Sequence, residues 1–466
     1  MARCMATVKV KWGKELLELT VSLQSTLGEF KAELQRRTHV PVERQKIMGI
    51  KASTSNNNAT LSDLGVSNGK MLMLLGTPAE PPKATEPPPP VAEATTTADK
   101  VPHPIVTMPT GLKNIANTCY MNAALQMLRL VPELPELLGP RGNDTLLRSL
   151  DQLYKSMGTN KDPIVPLLFW NALIAQNPTF GELDERGHPM QHDSQEVLST
   201  IIQRINDGIP DTHKRLFGGM MRQTTACKET PDDAPTVRDL SFFMLSCNIN
   251  AEVQMLETGL DAAFNETIPI HSETLAREAL YSRTSRLSSL PEYLFVHLVR
   301  FSWRSDTQKK AKILKPISFP LVLDFYTFCT EELKESMHAG RDRVLARRDK
   351  ERERRRDARQ KSRLEEAPKP EEVSTPVAAD EDAIGNASGY YELCGVISHK
   401  GRSADGGHYV FWGKPRNQWL VYDDENVAFV TEEDVKRLSG VGEGHIAYVL
   451  MYRSKDPQTK APTLPL

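Results

Sequence analysis

The stretch Gly111-Leu112-Lys113-Asn114-Ile115-Ala116-Asn117-Thr118-Cys119-Tyr120-Met121-Asn122-Ala123-Ala124-Leu125 sets a cysteine where polar sequence gives way to an apolar, periodic run. Asn117 and Thr118 are residue types that cap helices, and Met121, Leu125 and Leu128 recur at helical spacing, so the pattern predicts a helix starting at about Cys119. A thiol at a helix N-terminus faces unpaired N–H groups and partial positive charge, which favour the nucleophilic thiolate. Asn114, five residues upstream, carries a side-chain amide able to donate to an oxyanion beside the sulfur.

Taken alone, a cysteine at the start of a buried helix is ordinarily a small core residue. A second constellation changes that reading. Gly406-Gly407-His408-Tyr409-Val410 is followed, fifteen positions after the histidine, by Asp423 within Trp419-Leu420-Val421-Tyr422-Asp423-Asp424. A cysteine, a later histidine behind glycines and a still later carboxylate have the order and residue types of a thiol-protease triad. Asp424 is the adjacent alternative for the third member.

These residues resemble the ubiquitin-specific proteases, the papain-like deubiquitinases. Gln191-His192-Asp193-Ser194-Gln195-Glu196 is similar to that family's Gln-x-Asp-Ser/Ala-x-Glu segment, and Ala447-Tyr448-Val449-Leu450-Met451-Tyr452 to its closing strand. One departure stands in the cysteine box, where Ala116 replaces the family's usual glycine. If that position takes a positive φ, the Cβ costs roughly 1 kcal/mol. The resemblance implies an α+β protease of thumb, palm and fingers that cleaves ubiquitin conjugates. It assigns Cys119, His408 and Asp423 the catalytic roles and Asn114 the oxyanion, with no cofactor.

The whole chain of 466 residues has room for two or more domains. Its 58 basic and 60 acidic residues give a formal net charge of −2, so no global field points to nucleic acid or membrane. Six cysteines without paired spacing read as a reducing, intracellular setting. No run approaches the roughly 20 apolar residues of a spanning helix, and no apolar secretory segment follows Met1. The expected location is cytoplasm and nucleus, without a nucleic-acid or membrane partner.

Residues 5–76 read as a β-grasp unit. Val8, Val10 and Trp12 alternate with polar residues, then Leu17, Leu19 and Val21 do so after Gly13-Lys14, a hairpin pattern. Thr26 can cap a helix with Leu27, Phe30 and Leu34 on one face, ending before Pro41. Ile47-Met48 and Met71-Leu72-Met73-Leu74-Leu75 supply further strands, and Thr60-Leu61-Ser62-Asp63-Leu64-Gly65-Val66 with Gly69 resembles ubiquitin-like domains. Gly76-Thr77-Pro78 offers no free Gly-Gly end, so this unit is expected to dock rather than be conjugated. Residues 77–104, rich in Pro, Thr and Ala, read as a linker that is extended where polyproline-like, at about 3 Å per residue.

The catalytic unit is expected over residues 105–454, with a tail at 455–466. Its first half is helical by pattern around Leu146, Leu150 and Leu153, then 166–174 and 194–205; its second half reads as strands, for example 294–301, 390–397, 408–412 and 418–422. An insertion spans about 331–388, and from Arg341 to Glu366 it carries 12 basic and 7 acidic residues, a solvated helix by pattern. Part of it is expected to be mobile. Paired Cys-x-x-Cys elements of the kind that bind zinc in many members of the family are absent, so no metal is expected. Cys227, Cys247 and Cys394 are then expected to be packed core thiols. His399 is expected to brace the loop before His408, and His192 and His445 to be structural or surface groups.

An N-terminal ubiquitin-like domain, a short linker and a catalytic domain without zinc pairs together look most like the proteasome-associated members. The resemblance then implies docking of residues 5–76 on the proteasome's regulatory particle, with ubiquitin and ubiquitinated proteins as the other partners. It also implies surface loops that cover the channel for ubiquitin's tail, here Ser302–Lys312 and Lys400–Gly406. The alternative is a catalytically weak, ubiquitin-binding scaffold or regulator of the proteasome.

Overall fold

The computed structural model describes residues 5–12, 15–38, 40–42, 45–50, 59–75, 108–139, 144–208, 211–304, 309–361, 385–401, 406–415, 417–440 and 444–455. The Gly13-Lys14 turn, Gly76-Thr77-Pro78, the 77–104 linker, the 362–384 part of the insertion and nearly all of the tail lie outside them. The chain divides into two compact units, residues 1–101 and 102–466.

In the first unit, β1 (Met5–Trp12) and β2 (Glu15–Ser22) pair antiparallel, α1 (Leu27–Thr38) crosses, and β3 (Lys46–Met48) and β4 (Met71–Leu75) complete the sheet. The strand order β2-β1-β4-β3, with β1 and β4 parallel, is the β-grasp arrangement expected from the sequence. Alternation puts Val8, Val10, Leu72 and Leu74 in one core with Leu27, Phe30 and Leu34 of α1. Each fully buried side chain of this size contributes about 1.5–3 kcal/mol. The capping expectation holds at α1: Glu29 N donates to Thr26 Oγ1 at 3.3 Å, and Thr26 N donates back to the Glu29 carboxylate at 3.0 Å.

The second unit opens with helices α2 (Cys119–Arg129), α3 (Leu134–Leu138), α4 (Thr145–Thr159), α5 (Leu167–Gln176) and α6 (Ser194–Gly208). Every residue of α2 is buried, so this helix is a central post rather than an amphipathic surface element. Strands β5 (Gly219–Cys227) and β6 (Thr236–Phe242), then β7 (Met244–Asn248), α7 (Leu256–Phe264), β8 (Asn265–Ser272), β9 (Arg277–Ser289) and β10 (Tyr293–Val299) follow. Next come the hairpin β11 (Phe301–Arg304) and β12 (Lys309–Lys312), β13 (Val322–Asp324), α8 (Glu331–Ser336) and α9 (His338–Lys361). The chain ends in β14 (Tyr390–Lys400), β15 (His408–Gly413), β16 (Leu420–Asp423), β17 (Asn426–Phe429), α10 (Glu432–Arg437) and β18 (Ile446–Ser454).

The main sheet runs β17-β16-β15-β14-β18-β10-β7, with β13 beside β14. Its two faces feed two cores. Phe295 and Ile397 join α2 and the helices on one side, while Leu294, Val296 and Val396 join α7 and α10 on the other. A separate sheet, β6-β5-β9-β8, is largely exposed along β6 and β8.

The insertion begins as the charge pattern suggests. Helix α9 is anchored by Arg341, which donates to both Asp324 oxygens at 2.8 Å and stacks over the Tyr326 and Tyr390 rings at 4.4 and 4.3 Å.

Two of the cysteine expectations hold and one does not. Cys247 is fully buried and Cys394 packs against the helical core; burial pushes their thiols up to about 11 and about 12. Cys227 is instead half-buried at the end of β5, among Asp233 and its partners Ser272 and Tyr281, because this sheet meets the core through Phe242, Leu287 and Met221 at the opposite end of β5. Among the described residues, no helix is long and apolar enough to cross a membrane.

Thr26→Ala is expected to lower the stability of the first unit by about 1 kcal/mol, the usual cost of a lost N-cap. In thermal unfolding of the full chain it should shift the transition of that unit and leave that of the second unchanged.

Candidate active site

Cys119 is the first residue of α2 and is 2% exposed. The loop before it does not follow the capping expectation. Thr118 occupies the N-cap position, but its hydroxyl accepts from Ile115 N at 2.8 Å and its own N–H donates to Asn114 Oδ1 at 2.9 Å. Asn117 donates across to Pro189 O at 3.0 Å. The reason is a left-handed turn: Ala116 has φ +53° and Asn117 φ +62°, which folds the polar side chains back over the loop instead of along the helix. Asn tolerates that region; Ala pays for its Cβ there.

The same segment is stitched to the carboxylate turn, with Asn114 and Asp424 lying 310 positions apart. Leu112 N donates to Asp424 O at 2.9 Å. Gly111 makes this approach feasible, since a Cβ there would lie 2.4 Å from Glu425 O. Asp424 itself has φ +51°, in the two-residue turn that joins β16 to β17. Its carboxylate accepts from Asn114 Nδ2 at 2.9 Å and from Asn122 Nδ2 at 2.8 Å. Burial raises its pKa and the two amides oppose that rise. The sequence reading did not include Asn122, although an amide three positions after Cys119, on the first turn of a mostly apolar helix, is a readable signal.

His408 opens β15 and Asp423 closes β16, so adjacent antiparallel strands bring them together. His408 Nε2 lies 2.5 Å from Asp423 Oδ1. With Nε2 turned to the carboxylate, Nδ1 is the nitrogen left for the Cys119 thiol, which is within hydrogen-bonding reach of the ring. Asp423, and after it Cys119, push the His408 pKa up to about 10, while the histidine holds Asp423 below the usual carboxylate range. The sequence-derived set Cys119, His408, Asp423 and Asn114 is therefore gathered in one place, and Asp424 engages the amides rather than the histidine.

The other histidines take structural positions. His399 is fully buried and accepts from Lys312 at 2.6 Å. His192 packs edge-on against Tyr120 and Phe180. His445 shares a hydrogen bond of 3.2 Å with Ser398, and burial pushes it down to about 4. Tyr448 of β18 donates to Asp193 in the Gln191–Glu196 box, tying the closing strand to the start of α6. Among the described residues, the group with metal-ligand spacing is His408, Asp423 and Asp424, with donor atoms within 4.8 Å of one another. Those atoms are already engaged, Asp423 with His408 and Asp424 with two amides.

Residues 110–452 match the family model described as ubiquitin carboxyl-terminal hydrolase, and residues 7–79 match that of the ubiquitin family. Ubiquitin carboxyl-terminal hydrolase 6 of Arabidopsis thaliana is 33% identical, covering 97% of this chain and 99% of its own length. Ubiquitin carboxyl-terminal hydrolase 6 of Schizosaccharomyces pombe is 31% identical over 97% and 99%. Ubiquitin carboxyl-terminal hydrolase 14 of Caenorhabditis elegans is 33% identical over 97% and 94%.

Two outcomes follow from the geometry. Ala116→Gly relieves the left-handed Cβ and should raise the unfolding free energy of the second unit by about 1 kcal/mol in urea denaturation. The raised His408 pKa means that its contribution to stability is complete below the unfolded value near 6.5 and is lost as pH rises through about 10. NMR titration should find the ring still protonated at pH 8, and Asp423→Asn should lower the midpoint by roughly 1–3 units.

Proposed function

Since the chain belongs to the ubiquitin carboxyl-terminal hydrolase family, a family of thiol-dependent deubiquitinases, we propose that it hydrolyses the (iso)peptide bond at the C-terminal glycine of ubiquitin and does so at the proteasome. The observation that carries the assignment of roles is His408 lying between Cys119 and Asp423. Cys119 is the nucleophile. His408 takes its proton, and Asp423 orients the imidazole and stabilises its positive form. The thiolate attacks the glycine carbonyl, and the oxyanion is received by Asn114 together with a backbone N–H beside the cysteine.

An amide carries two N–H bonds. Asp424 holds one of those on Asn114, which fixes the direction in which the other points. His408 then protonates the departing lysine amine, and water attacks the thioester to release ubiquitin and restore the thiol. Losing the Asn114 donor is expected to cost about 2.7–4 kcal/mol in the barrier.

The docking role rests on the first unit. Met48 of β3 and Met73 of β4 are cross-strand partners, and both are exposed together with Met71, which shares their face. Such an apolar strip on a ubiquitin-like sheet suits a hydrophobic surface of the proteasome's regulatory particle. Residues 77–104 act as the spacer that lets the catalytic unit reach bound conjugates. The strands β11 and β12 belong to one cover over the channel for ubiquitin's tail, most of the other expected cover, 400–406, lying outside the described residues, and the protein works in cytoplasm and nucleus.

Exposure to ubiquitin bearing a thiol-reactive C-terminus should give an adduct on Cys119 by mass spectrometry, and Cys119→Ala should give neither adduct nor turnover while still binding ubiquitin. Continued cleavage by Cys119→Ala would sink the mechanism. The pair Met48→Ser and Met73→Ser should abolish co-sedimentation with proteasome and leave basal cleavage of a ubiquitin-linked reporter intact; retained co-sedimentation would remove the docking role.

A further inference from the structure

His399 lies nine residues before His408, fully buried in β14, and no step of the hydrolysis uses it. One hairpin holds it from two sides. Phe301 of β11 and Lys312 of β12 are cross-strand partners. The Phe301 ring meets His399 edge-on with centroids 5.4 Å apart. The Lys312 ammonium donates to His399 Nδ1 at 2.6 Å, His399 O at 2.9 Å and Gly401 O at 3.0 Å. Three acceptors take up all three N–H bonds of the ammonium.

On its far side His399 presses on Gly407. A Cβ at that position would lie 2.6 Å from His399 Nε2 and 2.3 Å from Lys400 O, and Gly407 has φ +142°, so neither space nor backbone admits a side chain. The next residue is His408. Burial, with Lys312, His445 and His408 adding to it, pushes His399 down to about 3 and keeps it neutral. Nδ1 therefore stays an acceptor for Lys312, and the ring proton sits on Nε2, against Gly407.

We propose that Lys312 is a positioning residue for His408: acting through His399 and Gly407, it fixes where the imidazole meets the Cys119 thiol, so that the hairpin β11–β12 sets the reactivity of the site. This rests on the reading of Cys119 and His408 as nucleophile and base. Burial, and then Arg300, lower the Lys312 pKa to about 8. Below that the ammonium offers three donors and above it the amine offers two, so positioning weakens as pH rises through about 8. That is below the value near 10 at which His408 itself loses its proton. The charged and titratable groups facing this chain of contacts are Arg300 beside Lys312, Tyr409 with its ring 4.5 Å from that of His399, and His445, Lys400 and Asp423 on the side of His408.

The test uses the full chain, a small ubiquitin-linked reporter, and alkylation of Cys119 by iodoacetamide followed by mass spectrometry. Lys312→Met should lower kcat roughly 10- to 100-fold with KM within about twofold, the size of effect a slight misplacement of a catalytic group produces. Alkylation of Cys119 should slow with it, because thiolate formation passes through His408. Lys312→Arg, which keeps a permanent cation and several donors, should recover most of both rates. Lys312→Gln repeats the comparison with one amide donor kept for His399, in case the methionine variant does not fold.

The wild type should lose kcat between pH 7.5 and 9, and that limb should be absent from Lys312→Met. A rise in KM alone would overturn the proposal by making the hairpin a substrate contact. Unchanged kcat and alkylation, or equal impairment of the Met and Arg variants with a matching fall in Tm, would overturn it as well. Failure of the wild type to form a Cys119 adduct with thiol-reactive ubiquitin would instead refute the protease reading, a result separable from the iodoacetamide rates.

Discussion

Asp424 joins two stretches of chain that are far apart in sequence and must be adjacent for any chemistry to occur. Its backbone carbonyl takes Leu112 N and its carboxylate takes the amides of Asn114 and Asn122. Burial of this half-buried carboxylate disfavours its charge, and the two amides offset that cost. With both oxygens engaged it becomes a fixed joint between the cysteine segment and the β16–β17 turn. Asp423, one residue away on the same turn, inherits that registration and meets His408 at 2.5 Å. Two adjacent carboxylates thus divide the labour, one joining the two stretches and the other raising the His408 pKa.

The burial of α2 follows from the same constraint. Cys119 stands at the first turn of α2, and α2 is held on every side, by the helical core and by the sheet face of β14, β15 and β16. Its dipole and the His408–Asp423 pair act on the thiol from two directions, in a place where partial burial strengthens both. The Tyr448–Asp193 hydrogen bond ties the opposite edge, so the wall formed by α6 keeps its distance from β18.

Much of this was legible in the residues, and the gaps have physical causes. The meeting of Cys119, His408 and Asp423 could be read because these residues are chemically distinctive and come in a fixed order, and the β-grasp unit because strict alternation in β1 and β2 and the Thr26/Glu29 box are local signals. The capping of α2 was misjudged because the left-handed turn at Ala116 and Asn117 turns cap-type side chains away from the helix, a backbone property that residue type alone does not report. Cysteine is usually buried, which points Cys227 to a core; the sheet β6-β5-β9-β8 enters the core only at the other end of β5, through Phe242 and Leu287. The Lys312–His399 contact spans 87 positions, and no periodicity marks it. Asp424 was noticed for its neighbour's role, since a carboxylate next to another offers no sign of which amides it will meet.

The arrangement also bears on where control can enter. His408 is already paired with Asp423, and its pKa already stands near 10, so the imidazole carries its charge across the neutral range without any partner. A binding event therefore has little left to gain by shifting that equilibrium. What remains adjustable is access of the substrate tail and the placement of the imidazole relative to the sulfur, to which proximity effects are steep. Both converge on the hairpin β11–β12, which clamps His399 through Phe301 and Lys312 while remaining outside the main sheet, paired only with itself among the described strands. A two-stranded hairpin of that kind has little intrinsic stability of its own. Its place is therefore set by the contacts of Phe301 and Lys312 with His399, so the hairpin and the imidazole are positioned together.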